Sequence, residues 1–406
     1  MMRSLLILGL AALLSGCGAE PSTPFVGLPR DLTPAENQLI SSDNNFGIKL
    51  FKEINSVETD NNLFVSPFSV SMALGMTFNG AAGETEQVMR QVLGLGQLTL
   101  PEINESYQSL IELLRGLDSN VIFHIANSIW YSRAYTFEPE FIDLNKTYFD
   151  AEVAGLDFTD QSSVGTINDW VKDKTEGKID RILDEIGPLE IMFLINAIYF
   201  KGDWTWQFDP EDTKDDTFTL SDGTPTACRM MVQKADLRYY ETKDLQVVDL
   251  PYGEGEYSMT ILLPQPEVNL DYIIGQLTDN TWAQWTGGLE EETVSLSLPK
   301  FSLRFKMQLN DVLKGLHMSI AFNPDTADFT RLYAPGGAYI GKVLHKTFVD
   351  VNEEGTEAAA VTSVAIELRS AGGSRVMRID RPFLFVIREN FSGTILFIGK
   401  IMQPES

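Results

Sequence analysis

Cysteine and histidine are scarce in this chain of 406 residues, which has 2 Cys and 3 His. The histidines, His124, His317 and His345, stand far apart in sequence, which excludes a spaced zinc-binding pattern. Cys17 lies in the N-terminal segment, so Cys228 has no second cysteine for an internal disulfide. We interpret Cys228 as a structural thiol. The sequence predicts no metal, no cofactor and a fold stabilised by packing.

Basic residues are also few: the chain has 31 Lys and Arg against 57 Asp and Glu. Removing an N-terminal signal that contains Arg3 would leave 30 bases, and 30 minus 57 gives a net charge of −27. A surface this acidic argues against nucleic acid or an anionic lipid surface as the partner.

Long apolar runs are absent except at the N-terminus, where Leu5 to Leu14 follow the basic Arg3. This run is too short to span a bilayer and has the size of a signal-peptide core. The sequence Leu14-Ser15-Gly16-Cys17 that ends it looks like a bacterial lipobox, in which the thiol of Cys17 takes the lipid. A plain secretory signal cut near a cysteine is the alternative.

The lipobox interpretation makes residues 1–16 a signal peptide and Cys17 the lipidated N-terminus of an exported protein. Gly18 is not the Asp that favours retention in the inner membrane, so we expect an anchor at the outer membrane or cell surface. If the lipobox is not used, the protein is secreted. Residues 17–38 are rich in proline and predict a flexible tether.

Residues 39–406 contain no second linker, repeat or low-complexity tract, which predicts one domain. Segments such as "SPFSVSMALGMTFNGA" have helical spacing, and Ser66 followed by Pro67 suits a helix start. Several apolar segments in the second half, such as "YSMTILLP" and "TILFIGKI", read as strands from the covered middle of a sheet. Helices followed by many strands predict an α+β domain.

The segment "NEEGTEAAAVTSVAIELRSAGGS", residues 352–374, fits neither an ordinary strand nor a linker. From Thr356 onward its alternate residues are uncharged, and the charges of Glu357 and Glu367 fall on the other set. This alternation is what a half-buried strand needs, and no proline interrupts it. We therefore predict a loop that can become a strand. A short exposed helix is the alternative for its resting state.

Motifs along the chain resemble the serpins, in the same order and from about residue 45 to the end. They include "NNLFVSPFSVSMAL", "LINAIYFKGDWTWQF", "VVDLPYGEGEYSMTILLP", "HKTFVDVNEEGTEAAA" and "DRPFLFVIRENFSGTILFIGKI". The resemblance implies three β-sheets, about nine helices and an exposed reactive-centre loop. It also implies a metastable fold whose main sheet can take in that loop, a case that general accounts of strand addition already name for this family.

The resemblance implies a reactive bond at Arg369–Ser370, which is reached by counting forward from Glu353. Counting back from Pro382 places the bond slightly further along, and Arg375 and Arg378 are rivals. Arg before the bond suits a trypsin-like protease with an acidic specificity pocket. The expected partner is such a protease, held in a covalent 1:1 complex with a monomeric inhibitor.

Other positions carry over from the same family by their motifs. They form three named sites: the hinge (Glu353, Gly355, Thr356, Glu357, Ala358, Ala359 and Ala360), the shutter (Ser66, Ser69, Asn196 and His345) and the breach (Trp204). One departure is His317, which stands where the family usually has Gly before Met and which puts the local helix end in doubt. A second is the flexible "AGGSRVM" after the reactive bond.

The sequence leaves three classes of function to compare. A suicide inhibitor is favoured because the start of the hinge is small and its core-facing set of residues is uncharged. A non-inhibitory member acting as a surface binding protein would typically have bulky or charged residues there. An enzyme is disfavoured because no nucleophile elbow of the G-x-S-x-G type is present.

Overall fold

A computed structural model describes residues 27–357 and 374–405 of the chain. Most helices lie in the first half, and none of the described helices is long and apolar enough to cross a membrane. The described α-helices are α1 (Pro34–Val57), α2 (Pro67–Phe78), α3 (Gly83–Val92), α4 (Leu100–Arg115), α5 (Pro139–Phe149), α6 (Ser162–Lys174), α7 (Leu270–Gln276), α8 (Asp279–Gly287) and α9 (Asn310–Leu313).

Strands dominate the second half of the described chain, as the sequence predicts. They are β1 (Leu63–Val65), β2 (Val121–Ser132), β3 (Glu152–Leu156), β4 (Met192–Asp203), β5 (Lys214–Thr219), β6 (Pro225–Glu241), β7 (Leu245–Tyr252), β8 (Tyr257–Pro264), β9 (Glu290–Pro299), β10 (Phe301–Gln308), β11 (Leu344–Val351), β12 (Gly355–Thr356), β13 (Arg375–Arg378), β14 (Phe383–Glu389) and β15 (Ile395–Ile401).

The strands form a nine-stranded and a six-stranded sheet. The larger has the order β1-β15-β14-β8-β7-β6-β9-β13 with β5 beside β6, and the smaller has the order β10-β11-β12-β4-β2-β3. Strand β6 pairs with β5 through its first half and with β7 through its last residues, so it joins two sections of the larger sheet. With the six-stranded sheet, these sections correspond to the three sheets expected, and the α+β class is confirmed.

The core lies between the sheets and the helices. Every residue of β8, β14 and β15 is buried, as their apolar character on both faces predicts. Helix α2 is buried along nearly its whole surface, which is typical of a central core helix, and it packs against β4 and β15. Helix α6 covers the opposite face of the six-stranded sheet, where its Ile167 and Val171 pack with Phe193 and Ile195 of β4.

The folded part begins earlier than the predicted boundary at residue 39. Helix α1 starts at Pro34, because Thr33 and Glu36 form a capping box in which each side chain accepts from the other's backbone N–H. Glu36 is buried and pairs with Arg30 at 2.6 Å, which fixes the residues before the helix as well. Residues 34–38, assigned to the tether from their composition, therefore belong to the domain.

Cys228 is buried in β6, opposite Asp216 of β5. Burial raises the pKa of its thiol, so the thiolate needed for reactivity is disfavoured. Within the described residues, no three His, Cys, Asp or Glu side chains converge as a metal site.

His317 adopts a left-handed backbone conformation, with φ 72° and ψ 21°, in the irregular turn Lys314–Met318 that follows α9. A side chain is strained there and glycine is not, which agrees with the Gly that the family resemblance implies at this position. His317 is exposed, so its imidazole contributes little packing to offset the strain.

We expect the substitution His317→Gly to raise the free energy of unfolding by about 0.5–1 kcal/mol, because the left-handed strain exceeds the entropic cost of glycine. Denaturant unfolding followed by circular dichroism measures the change. His317→Ala is the matched control, since it removes the imidazole but keeps Cβ. An equal gain in both variants would show that the backbone conformation is not the cause.

Candidate functional site at the opening of the central sheet

The two central strands of the six-stranded sheet, β4 and β11, are separated by the two-residue strand β12. Thr356 lies opposite Val351 of β11 and Gly202 of β4, and β12 runs antiparallel to both. Strands β4 and β11 are therefore parallel to each other. Beyond β12, no pairing register joins β4 to β11 among residues 27–357 and 374–405. We call the region between these two strands the slot.

The backbone enters this slot through Gly355. A Cβ atom at this position would lie 2.1 Å from the carbonyl oxygen of Gly202 and 2.7 Å from Cα of Asp203. Only glycine fits so close to the neighbouring strand. The chain can therefore turn out of β11 and pair at once with β4.

The two residues that follow Gly355 point to opposite faces of the sheet. The Thr356 side chain faces the core, where its hydroxyl lies 2.6 Å from the Tyr252 hydroxyl. The Glu357 carboxylate lies on the other side, 3.5 Å from Nζ of Lys178. The Glu357 N–H donates to the Asp350 carbonyl at 2.9 Å, so the pairing with β11 continues one residue beyond β12.

Glu357 is held under strain. Its backbone is left-handed, with φ 60°, and its side chain is 7% exposed. Burial raises the pKa of its carboxyl to about 7 against the opposing effect of Lys178. Among the described residues, Oε2 has the 3.5 Å ion pair with Lys178 but no hydrogen bond. The last described hinge residue therefore combines an unfavourable backbone with an incompletely satisfied buried acid.

Glu353 anchors the chain at the other side of the turn. It accepts hydrogen bonds from Oγ1 of Thr213 at 2.8 Å and from Nζ of Lys300 at 2.6 Å. Burial alone would raise the pKa of its carboxyl, but these two donors outweigh burial and lower it. Sequence reasoning missed Thr213 and Lys300, since neither stands in a motif that points to Glu353.

Trp204, the breach residue, follows the last residue of β4 and contacts the same turn. Its ring stacks on Tyr252 at 4.5 Å, and its Nε1–H donates to the Asn352 carbonyl at 3.0 Å. Its backbone N–H donates to the Glu354 carbonyl at 2.8 Å. The end of the slot beside β12, which we call its upper end, is thus closed by a stacked aromatic pair and by backbone hydrogen bonds.

The four shutter residues meet in the middle of the slot, where Ser66 and Ser69 at the N-terminus of α2 contact the strands β4 and β11. Ser66 caps α2, and its backbone N–H donates to Nε2 of His345 on β11 at 3.0 Å. The Ser69 hydroxyl donates to Oδ1 of Asn196 on β4 at 2.5 Å. One helix end therefore holds both central strands, each through its own hydrogen bond.

His345 takes part as a neutral ring. It is fully enclosed, and burial lowers its pKa to about 4. Because Nε2 accepts a hydrogen bond, the proton of the neutral ring lies on Nδ1. The Ser66 hydroxyl donates to the Leu396 carbonyl rather than to the imidazole, so these two side chains do not form a nucleophile–base pair.

Asn127 extends the shutter, and sequence reasoning missed it. It lies opposite Asn196 in the β2–β4 register, accepts from Nδ2 of Asn196 at 2.6 Å, and donates to the Phe149 carbonyl at 2.6 Å. The signal was present in "IANSIWY", where one amide interrupts an apolar strand. A buried amide in such a strand needs a partner.

The remaining predicted positions divide between the described and undescribed parts of the chain. Arg375 and Arg378 lie in β13, where Arg375 pairs with Glu292 at 3.3 Å and Arg378 with Asp216 at 2.6 Å. Outside the described residues lie Cys17, Ala358, Ala359, Ala360, Arg369 and Ser370.

Comparison with known proteins matches this architecture to one family. The family described as "Serpin (serine protease inhibitor)" matches residues 41–404. The human leukocyte elastase inhibitor is 36% identical over 379 residues, which cover 90% of this chain and 100% of that protein.

Solved structures agree with the sequence match. The native state of tengpin, a thermophilic serpin, superposes with a TM-score of 0.83 at 33% identity and covers 92% of this chain and 95% of its own. Human thyroxine-binding globulin, complexed with its ligand, has a TM-score of 0.84 at 28% identity and covers 92% and 100%. The slot, the hinge turn and the shutter thus stand in a shared fold, and this chain belongs to the serpin family.

Proposed function

We propose that this protein is an irreversible inhibitor of trypsin-like serine proteases that traps its target by inserting the cleaved reactive loop between β4 and β11. The observation that carries the proposal is β12, a two-residue strand already paired with both central strands at the start of the loop. Continuing that pairing lengthens an existing strand and needs no new register.

The chemistry begins with ordinary proteolysis of the bond Arg369–Ser370. The target's serine oxygen bonds to the Arg369 carbonyl carbon, the peptide C–N bond breaks, and Ser370 leaves as a new amino terminus that takes the proton. The freed segment then inserts before water attacks the acyl-enzyme. Pulling the bound protease along distorts its oxyanion hole, and loss of those donors slows deacylation by orders of magnitude.

The register of β12, if continued along the slot, supports this mechanism. In antiparallel strands, the numbers of any two opposite residues have the same sum. For Thr356 this sum is 707 with Val351 of β11 and 558 with Gly202 of β4. A strand that continued β12 with the same sums would bring Thr362 opposite both His345 and Asn196. An inserting strand would therefore bring a small hydroxyl to the shutter, on the core side shared with Thr356, where it can pair with polar groups.

An order-of-magnitude estimate of the free energy favours insertion. A strand of about twelve residues gains about one hydrogen bond per residue at about 0.5–1.5 kcal/mol each, or about 6–18 kcal/mol in all. This is comparable with the whole stability of an ordinary domain, so the uninserted form persists as a kinetic trap.

A non-inhibitory binding protein is the second candidate. Thyroxine-binding globulin, which shares the fold, is described in complex with thyroxine rather than with a protease. The leukocyte elastase inhibitor, in contrast, is named for inhibition. The small, buried Thr356 and the lack of room for a side chain at Gly355 favour an inserting hinge. A catalytic role has less support, because the Ser66 hydroxyl and His345 do not pair.

The proposed location is the bacterial cell surface or outer membrane, through lipid on Cys17. This rests on the lipobox-like sequence before Cys17 and on the number of residues in the sequence between Cys17 and α1, which begins at Pro34. An intervening tether would let the domain reach a soluble protease.

Mixing the protein with trypsin should produce a covalent band of summed mass on a denaturing gel, and Arg369→Ala should abolish it. The reason is that trypsin holds Arg in its acidic specificity pocket. Arg375→Ala is the matched control and should keep trapping, since Arg375 lies in β13 and pairs with Glu292 of β9. Full inhibition by Arg369→Ala would move the reactive bond elsewhere, and cleavage without a covalent band would favour the non-inhibitory candidate.

Thr356→Arg should leave cleavage by trypsin intact but convert the inhibitor into a substrate. Thr356 already lies buried beside Tyr252 in the intact protein, and burying an unpaired charge there is costly. The arginine would therefore displace β12 from the sheet, so the strand could not lengthen from it. Thr356→Ser, small and uncharged, should retain trapping. In the same series nicked wild type should melt well above the intact protein, whereas nicked Thr356→Arg should not. Efficient trapping by Thr356→Arg would contradict the insertion model.

Acid should weaken the shutter through His345. Its native pKa of about 4 lies below the ordinary 6.5, so the neutral ring stabilises the native state above pH 6.5 and this contribution is lost as pH falls towards 4. His345→Gln, which keeps an acceptor for the Ser66 N–H but does not titrate, should lose less thermal stability than wild type between pH 6.5 and 4.

Comparing the two proteins at each pH cancels the buried acids Asp43, Glu256 and Glu357. Their pKa values are raised to about 7, so their contributions run the other way, falling as pH rises towards 7. Parallel pH profiles for wild type and His345→Gln would contradict the assignment of a neutral His345.

A further inference from the structure

A cavity of about 360 Å³ lies at the lower end of the slot, opposite the hinge. It opens between the first residues of β4 and the segment that leads into β11, beneath α2. Most of its walls are apolar, and the side chains that matter below are Leu74, Met192, Leu194, Ile340 and Val343. A cavity with mainly apolar walls is suited to apolar side chains.

Two of the residues that line this cavity, Glu190 and Lys342, form an ion pair. Nζ of Lys342 lies 2.6 Å from Oε1 of Glu190, and Oε2 of Glu190 accepts the Gly187 N–H at 2.5 Å. Glu190 stands two residues before β4 and Lys342 two residues before β11. The Glu190 side chain is 11% exposed and that of Lys342 33%. The pair therefore ties together the lower ends of the same two strands that β12 separates above.

The register of β12 shows what would have to pass this pair. The sums 707 and 558 place Val364 opposite Val343 and Leu194, and Ile366 opposite Met192, all three of which line the cavity. They place Ala365 opposite Lys342 and Leu368 opposite Glu190. The apolar residues of the loop thus match the apolar cavity, but a strand that reaches them must run between the two charged side chains.

We propose that the Glu190–Lys342 ion pair is a gate that slows the last stage of loop insertion, in which Val364 and Ile366 enter the lower cavity. The inference rests on the proposed function. Pairing at the hinge leaves the gate closed, because β12 lies at the other end of the slot. Complete insertion requires the lower ends of β4 and β11 to separate, which stretches or breaks the ion pair.

The gate has a consequence for both forms of the protein. In the intact molecule it opposes spontaneous insertion of the uncut loop, which would destroy inhibitory capacity. In the acyl-enzyme it delays full translocation and so gives water more time to attack. The Lys342 side chain is one-third exposed, and a partly solvated ion pair of this kind slows opening only modestly.

The test uses a synthetic peptide with the sequence of residues 362–368, "TSVAIEL", labelled and mixed with the intact protein. Glu190→Gln and Lys342→Gln should each take up the peptide about two- to fivefold faster than wild type, because each removes the attraction across the slot. Raising the salt concentration should speed uptake by wild type and change it little in the variants. The double variant Glu190→Lys with Lys342→Glu should return uptake towards the wild-type rate.

Glu86→Gln is the matched control. Glu86 is also a half-buried glutamate paired with a base, Arg331 at 3.0 Å, but it lies on α3, away from the slot. Its peptide uptake should equal that of wild type. Equal uptake by wild type and both gate variants, or a double variant as fast as the single ones, would overturn the gate.

The peptide assay separates this proposal from the inhibitor proposal, since it needs no protease. If the wild-type protein fails to trap trypsin but Glu190→Gln still speeds uptake, the gate stands and inhibition falls. If trapping occurs but neither gate variant changes uptake, inhibition stands and the gate falls. The salt dependence of the wild-type protein tests the gate even if a variant fails to fold.

Discussion

The N-terminus of α2 is the constraint that sets how β4 and β11 are spaced in the six-stranded sheet. Through Ser66 it holds His345 of β11, and through Ser69 it holds Asn196 of β4. The bond to His345 is buried and the bond to Asn196 is partly buried, so either strand would leave a donor or acceptor unpaired if it moved from the helix. A single buried helix end therefore fixes the width of the slot. Any strand that enters must replace these bonds with its own polar groups.

The upper end of the slot is arranged differently, with backbone and ring contacts that favour entry. Gly355 allows the chain to approach β4 closely, and Trp204 fixes the turn through the Asn352 and Glu354 carbonyls. Beyond that point the backbone of Glu357 is strained and its acid is incompletely satisfied. Strain is thus concentrated where the described chain leaves the sheet, whereas the anchor at Glu353 is well paired.

Sequence reasoning reached the parts of this site that depend on local pattern. Ser66 followed by Pro67 predicted the start of α2, and the alternation after Gly355 predicted that Thr356 and Glu357 face opposite sides. It could not find partners that only the tertiary fold brings together, such as Lys300 beside Glu353 or Lys342 beside Glu190. These pairs join residues far apart in the chain, and a single charged residue in sequence gives no sign of its partner.

The boundaries of elements show the same division between local and tertiary information. Composition assigned residues 34–38 to a tether because Pro34 resembles the other prolines before it. The capping pair Thr33 and Glu36 decides the matter instead, and it was legible in sequence as a Thr followed three residues later by a Glu. His317 was recognised as a departure, but its cause, a backbone that only glycine adopts freely, required the φ value.

In the insertion that we propose, the barriers follow one another along the slot in an order that the connection itself imposes. Only a short turn links Val351 to Gly355, so pairing must begin at Thr356 and spread downward one residue at a time. In that proposed state Thr362 would meet the shutter midway, and Val364 and Ile366 would meet the lower cavity after it. The Ser66–His345 bond of the shutter is buried, whereas the Lys342 side chain of the lower ion pair is 33% exposed, so we expect the middle step to cost more than the last. Once a strand has passed α2, each further residue gains backbone bonds against a weaker restraint, which makes the insertion hard to reverse.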